Sequence, residues 1–379
     1  MDSAVCLSCG GALERVGSEL VTTTDLPASA PPPEVRRVRV WICRCETCGR
    51  TVRGRHPAVA EGQQGATAHR LGPLVKAAAL ALHHDFGIPQ RKVPAVIESM
   101  TGLRVTQGAL TQWAEGAAEG KAGEVAECLA AAVRHAPVVN TDDTGWRIGG
   151  EQGWLMVFVT RSSTVFRIRR RHRSDEVLEI VPRDYAGVMG TDRGASYDAH
   201  AFDGVRQSKC VAHLFRSLDD AMASQPAAAM PVTVWLRDIF ERAIALWRDR
   251  RDGRIGGDAF AQQASELRAE LDHALRPRRL KNRDNCRIVG ELAWHNRRGS
   301  LLRFLDDPAV EPTNNRAERA LRPAVIARKV SHCSRNDRGA NACATLKTIA
   351  VTARQRGIMP QQAILAILKN KDDPFDDSG

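Results

Sequence analysis

Between Ala136 and about Leu218 this chain carries four apolar, β-type runs in an otherwise helix-rich sequence: Pro137-Val-Val-Asn-Thr, Trp154-Leu-Met-Val-Phe-Val-Thr, Thr164-Val-Phe-Arg-Ile and Gly187-Val-Met-Gly-Thr. Short apolar runs rich in β-branched residues read as sheet strands, and a helical pattern resumes near Val211. Two of the runs end in an aspartate. Asp142 reads as the end of the first strand, in Asn140-Thr-Asp-Asp-Thr-Gly-Trp, with the chain leaving the sheet and turning at Gly145. Asp192 follows the last run in the same way, ahead of Arg193-Gly-Ala-Ser-Tyr. Asp143, next to Asp142, is expected to point to the opposite face.

Helical periodicity covers Leu71 to about Val133, with breaks near Gly87-Ile88-Pro89 and Gly102, and returns from about Pro231 to Leu305 in a highly charged stretch interrupted around Gly253 and Pro277. From Thr313 to Arg356 two further helices are expected to flank a turn at Gly339. Strands followed by a helical insert and closing helices predict an α/β domain built on a mixed sheet with a helical insertion. The boundaries read 1–60 for a cysteine-bearing module, 67–133 for a small helical domain, 136–225 for the first part of the α/β core, 226–308 for the insertion, 309–368 for the closing helices and 369–379 for a disordered acidic tail. Within the helical domain, Thr106-Gln-Gly-Ala-Leu-Thr-Gln-Trp113 fits either the recognition helix of a helix-turn-helix or one member of a structural bundle.

The 55 Lys and Arg residues outnumber the 44 Asp and Glu residues, leaving a net charge of +11, and Arg-rich runs such as Arg167 to Arg173 suit a polyanionic partner. No run approaches the roughly 18 uncharged apolar residues needed to span a bilayer, and no basic segment leads into an apolar one near residue 1. The expectation is a cytoplasmic, nucleoid-associated protein that does not engage membranes.

Five of the ten cysteines fall within the first 48 residues. Cys6-Leu-Ser-Cys9 and Cys45-Glu-Thr-Cys48 are knuckles followed by glycine, a pattern that aims four thiolates at one structural Zn²⁺. The alternating run from Val35 to Ile42 reads as a strand of the connecting ribbon, and Cys43 reads as a spare thiol.

Asp142 and Asp192 are of the kind needed for phosphoryl transfer with two Mg²⁺ (or Mn²⁺) ions, which requires carboxylates from separate elements to converge. A third is carried by Glu311-Pro-Thr-Asn-Asn-Arg-Ala-Glu-Arg-Ala-Leu-Arg-Pro, where Thr313 or Asn314 caps a helix bearing Glu318, Arg319 and Arg322. Glu311 is the rival, but a helical Glu318 is held more rigidly than a loop residue before Pro312. Trp146 and Trp154 read as core packing.

Taken together, the ribbon cysteines, Leu110-Thr-Gln-Trp113, Asp142-Asp-Thr-Gly-Trp146, Asp192-Arg-Gly-Ala-Ser-Tyr197, Cys210-Val-Ala-His-Leu-Phe-Arg216 and Glu311 to Arg322 resemble the transposases of the insertion-sequence-66 family, over nearly the whole chain. The resemblance implies a ribonuclease-H-like catalytic fold, with Asp142, Asp192 and Glu318 binding the two metal ions. DNA cleavage at element ends and strand transfer into a target would follow. Arg319, Arg322, Arg328 and Lys329 are the candidates to grip phosphates. Cys210 and His213 resemble a Cys-x-x-His element that follows the second aspartate in several such enzymes; a core role and a metal or active-site role both stay open. Relatives of this type usually carry a longer region ahead of the ribbon, whereas Cys6 lies close to residue 1, so a short member is expected. Two ends must be held together, which implies a homo-oligomer and leaves room for accessory proteins. The competing readings are a catalytically silent DNA-binding regulator and a zinc-ribbon nuclease without transposition.

Overall fold

The computed structural model describes residues 8–12, 14, 20, 33–54, 56, 59, 71–224, 230–277, 280–331, 333–371 and 373–375. Near the second knuckle, β1 (Ile42–Arg44) pairs antiparallel with β2 (Thr51–Arg53). Of the strand expected over Val35 to Ile42, only its last residue, Ile42, lies in a strand. Its alternating side chains are mostly exposed and, among the described residues, no strand pairs with Val35–Val40, whereas the tight Cys45–Gly49 turn, with Gly49 at φ 69°, places a partner beside Ile42–Arg44.

Four helices follow: α1 (Pro73–His84), α2 (Val93–Thr101), α3 (Gln107–Glu119) and α4 (Lys121–Val133). Thr106 caps α3 by accepting the Ala109 N–H. Leu110, Trp113, Ala114 and Ala118 of α3 are buried in a core shared with the other helices. Residues 107–119 include no Lys or Arg, and Arg338 holds Glu115 and Glu119.

The α/β unit has one sheet in the order β5-β4-β3-β6-β7, made of β3 (Val138–Ile148), β4 (Glu151–Val159), β5 (Thr164–Arg169), β6 (Val188–Thr191) and β7 (Arg206–Lys209). β3, β4 and β5 form an antiparallel meander, while β6 and β7 run parallel to β3. A short helix, α5 (Ser174–Leu178), lies between β5 and β6. The first strand is longer than its apolar run. It does not turn at Gly145, which pairs with Trp154 inside the ladder, but at Gly149-Gly150, both at positive φ. Two adjacent glycines accept the left-handed conformations of a tight hairpin, which one isolated glycine does not provide.

After β7 come α6 (Val211–Ser224), α7 (Met230–Arg251), α8 (Gly257–Ala274) and α9 (Arg283–Arg297), which bury Leu214, Leu236, Phe240, Leu267, Leu271 and Leu292 in a separate apolar core. The chain then returns through α10 (Asn315–Ser331), α11 (Asp337–Gln355) and α12 (Pro360–Leu368). Gly339 is not the turn between α10 and α11. It lies in the first turn of α11, where its N–H is accepted by the capping Asn336 side chain.

The period-two alternation of β4 divides the cores. Leu155, Val157 and Val159 pack with Ala317, Leu321 and Ala324 of α10, whereas Met156 and Phe158 join the core of the N-terminal helices. β5 is an edge strand, and α11 protects it: the Thr348 and Thr352 hydroxyls accept the Phe166 and Thr164 N–H groups at 2.9 and 3.1 Å. In the acidic tail, Phe375 packs against the core and under the Arg356 guanidinium, so this part is not free chain; residues 376–379 lie outside the described residues. No described helix is long and apolar enough to cross a membrane.

Candidate active site

The sheet register sets two aspartates side by side. β3 and β6 pair through Asn140 and Gly190, and Asp142 and Asp192 each stand two residues further along. There β6 ends at Thr191, while β3 continues against β4 with Asp142 opposite Val157. Asp192 therefore emerges at the carboxyl end of a parallel strand, the usual mouth of an α/β site. Asp142 is held mid-strand, one strand over. The Asp192 carboxylate accepts the Gly194 N–H at 2.8 Å, which starts the following turn.

Burial pushes the Asp142 carboxyl up to about 7, and the negative charges of Asp192, Asp143 and Glu318 add to the rise, although the Asp143 N–H bonds Asp142 Oδ1 at 2.9 Å and opposes it. Three carboxylates thus act on a fourth in a half-buried site. Such an array is relieved by divalent cations, and its oxygen-only donor set suits a hard ion such as Mg²⁺ or Mn²⁺.

Glu318 lies in the first turn of α10, and Asn314 sets where that turn starts. The Asn314 side chain, 1% exposed, donates to the Thr141 carbonyl at 2.8 Å and accepts from Asn140 Nδ2 at 3.1 Å. Its backbone N–H donates to Cys210 Sγ at 3.1 Å. One residue therefore joins the strand of Asp142, the entry to α6 and the helix of Glu318. Asn314→Ala leaves the Thr141 carbonyl and the Asn140 amide unpaired in the interior. It is expected to cost about 2–4 kcal/mol in urea unfolding and to weaken the binding of divalent cations by the nearby carboxylates in a Mn²⁺ titration; unchanged cation affinity would contradict this positioning role.

Beyond the carboxylates, Glu318 Oε1 is 3.6 Å from His213 Nδ1 and 3.9 Å from Arg216 Nη2. Among the described residues, the one group of three or more His, Cys, Asp or Glu side chains drawn tightly together is Cys210, His213 and Glu318, whose ligand atoms lie within 4.8 Å of one another. Asp142, Asp192 and Glu318 stand further apart than that. Glu311 is paired with Arg316 at 2.9 Å.

Arg319, Arg322 and Lys329 are exposed on α10. Arg328 differs from the free phosphate-gripping side chain expected from the sequence. Its Nη1 donates to Thr144 Oγ1 at 3.1 Å and to the Gly145 carbonyl, strapping α10 to β3. Trp146 is buried and donates to Ser334 Oγ at 3.1 Å, whereas Trp154 is only half-buried and stacks on His172 at 5.3 Å.

Two further groups were given no role by the sequence. Asp143 faces His172 Nε2 at 3.4 Å and accepts from the Tyr197 hydroxyl at 3.3 Å. Lys209, 1% exposed, reaches Asp198 Oδ1 at 2.7 Å, Thr191 Oγ1 at 2.9 Å and the Asp192 carbonyl at 3.1 Å. The long-range pairs among these residues come together only through the fold.

At the ribbon, Cys9 and Cys48 are exposed and Cys45 is half-buried, while Cys6 lies outside the described residues. Hydrogen bonds from the Cys48 backbone and thiol and from Thr47 hold the Cys45 thiol below its usual range. A lowered thiol gives up its proton more readily, the form in which a cysteine binds metal.

These features define an α/β protein with acidic residues gathered at the end of a mixed sheet. The chain belongs to the IS66 family of transposases: the family described as Transposase IS66 family matches residues 69–342, well over half of the chain. An uncharacterized protein, y4qI, of Sinorhizobium fredii (strain NBRC 101917 / NGR234) is similar, 28% identical over a 193-residue alignment that covers 46% of this chain and 34% of that protein. The chain thus spans about a third of the length of this curated relative. Among solved structures, the HTLV-2 integrase catalytic core domain in complex with magnesium (dimeric form) aligns with 26% of this chain and 85% of that one, at 14% identity and a TM-score of 0.17.

Proposed function

We propose that this protein is a DNA transposase with a ribonuclease-H-like catalytic unit, in which Asp142, Asp192 and Glu318 hold two Mg²⁺ or Mn²⁺ ions. The observation that carries the reading is the β3–β6 register, which stands Asp142 beside Asp192 with Glu318 close enough for its charge to raise the Asp142 carboxyl. When bound, the ions would supply activation of the attacking oxygen and stabilisation of the leaving one.

The residues of the chain do the rest. Lys209 and the Gly194 N–H orient Asp192, Asn314 sets the start of the Glu318 helix, and Arg328 fastens that helix to the strand of Asp142. Exposed Arg319, Arg322 and Lys329 would meet DNA phosphates. The cysteine ribbon, with Zn²⁺ on Cys6, Cys9, Cys45 and Cys48, serves structure. The partners are the element ends and target DNA, in an oligomer that holds two ends, with accessory proteins where the family requires them.

The test is incubation with Mg²⁺ or Mn²⁺ and labelled DNA carrying the ends that flank its own gene. Cleaved ends with free 3′ hydroxyls, followed by joined products, are expected. Hydrolysis without joining would mean a nuclease, and sequence-specific binding without either product would mean a regulator. Arg319→Ala and Arg322→Ala are each expected to weaken binding evenly across DNA sequences and to reduce the steepness of log K against log salt by about 0.9 for each phosphate no longer neutralised. A weakening confined to one sequence would show base readout instead.

A further inference from the structure

We infer that Cys210, His213 and Glu318 form a binding site for a soft divalent ion of the zinc class, and that an ion held there withdraws Glu318 from the carboxylate set. The binding half stands on geometry alone; the inhibitory half rests on the function proposed above.

The three side chains come from two helix starts that the fold presses together. Cys210 directly follows β7, His213 lies in the first turn of α6, and Glu318 lies in the first turn of α10. Their sulfur, nitrogen and oxygen ligand atoms fall within 4.8 Å of one another. Tetrahedral zinc, with bonds of about 2.0–2.3 Å, sets its ligands roughly 3.3–3.8 Å apart. The 3.6 Å between His213 Nδ1 and Glu318 Oε1 already lies in that range, and it is too long for a hydrogen bond.

Those two atoms are shut off from solvent, and neither has a hydrogen-bond partner among the described residues. Buried polar atoms left this way are costly, and an ion between them would satisfy both. The third ligand is already oriented, because the Asn314 N–H donates to Cys210 Sγ at 3.1 Å. Such hydrogen bonds steady a metal-bound sulfur. Arg216 also approaches Glu318, but its side chain is 62% exposed and can turn to water when a cation enters.

Ion softness separates the two sites. A thiolate and an imidazole favour zinc-class ions, whereas Asp142 and Asp192 offer only oxygen and favour magnesium. Glu318 stands between them. Its charge bears on Asp142, and its Oε1 faces His213. An ion of the soft class would therefore compete with the catalytic ions by taking the one ligand the two sites share.

The test uses the full chain with its ribbon first saturated with Zn²⁺, then titrated with Co²⁺ as an optical probe. A further thiolate-to-cobalt band is expected, with affinity falling about tenfold or more in Cys210→Ser and in His213→Gln. Cobalt uptake equal in both variants and wild type, or no band beyond that of the ribbon, would overturn the site. In Mg²⁺-supported cleavage, half-inhibition by Zn²⁺ should need about tenfold more metal in Cys210→Ser than in wild type; equal sensitivity would overturn the inhibitory role. If wild type shows no cleavage under any metal, the functional reading fails, while the cobalt band still decides the site.

Discussion

Asp142→Asn is expected to lower DNA cleavage by about a thousandfold or more while making the metal-free protein more stable at pH 8. On the proposed two-ion reading, the activity loss follows from removing one ligand of the activating ions, an effect worth several kcal/mol at about 1.4 kcal/mol per tenfold. The stability gain follows from the Asp142 carboxyl, which burial and the neighbouring charges push up from 3.8 to about 7. A carboxyl raised on folding is protonated in both states at low pH and contributes nothing there. As pH rises through 3.8 the unfolded chain ionises first, and stability is lost progressively until the folded group ionises near 7. The full loss has an upper limit of about 4 kcal/mol. Unfolding curves for both proteins between pH 3.5 and 8 should converge at the acid end and separate toward neutrality, with the variant the more stable. A gap independent of pH would show that the Asp142 carboxyl is not raised by folding. Mn²⁺ should close part of the gap above pH 7 by stabilising wild type alone.

Lys209→Met is expected to be the most destabilising single change near the site. The Lys209 ammonium bonds Asp198, the Thr191 hydroxyl and the Asp192 carbonyl. Burial pushes it below the usual lysine range, and Asp198 opposes that shift. Taking away one partner of a buried pair costs about 3–5 kcal/mol, enough to lower the melting midpoint by about 10 °C. His295 reports the same event. Burial, then Lys209, hold it down to about 4, and its Nε2 is 3.7 Å from Asp198. Without Lys209 the His295 value should rise, read by NMR titration. A variant that melts like wild type with His295 unmoved would show that Lys209 does not hold the loop after Asp192.

How much of this was legible in the sequence varied with the kind of signal. β4, β5 and β6 were visible as apolar runs, and α6 begins at the Val211 read from the sequence. β7 was invisible. Its Arg206-Gln-Ser-Lys209 has no apolar alternation, because Gln207 and Lys209 are buried through hydrogen bonds to the Tyr197 carbonyl, Thr191 and Asp198. The run from Val35 to Ile42 misled in the opposite way: its alternation predicted a full strand, and only Ile42 at its end lies in one. Asp142 and Asp192 could be named from strand ends, although Asp142 lies inside a strand that the Gly149-Gly150 hairpin prolongs. The tandem asparagines stood out, but the link from Asn314 to Thr141 spans 173 residues. The grouping of Cys210 with Glu318 arises from the same long-range closure, and no local pattern encodes it.

Anomalous scattering from crystals grown with Mn²⁺ would decide whether Asp142, Asp192 and Glu318 hold the ions together. Two Mn²⁺ peaks are expected at the end of the β3–β6 pair, bound by these three carboxylates, and both should vanish in Asp142→Asn. Mn²⁺ bound elsewhere, with the three carboxylates left without metal, would contradict the proposed catalytic centre.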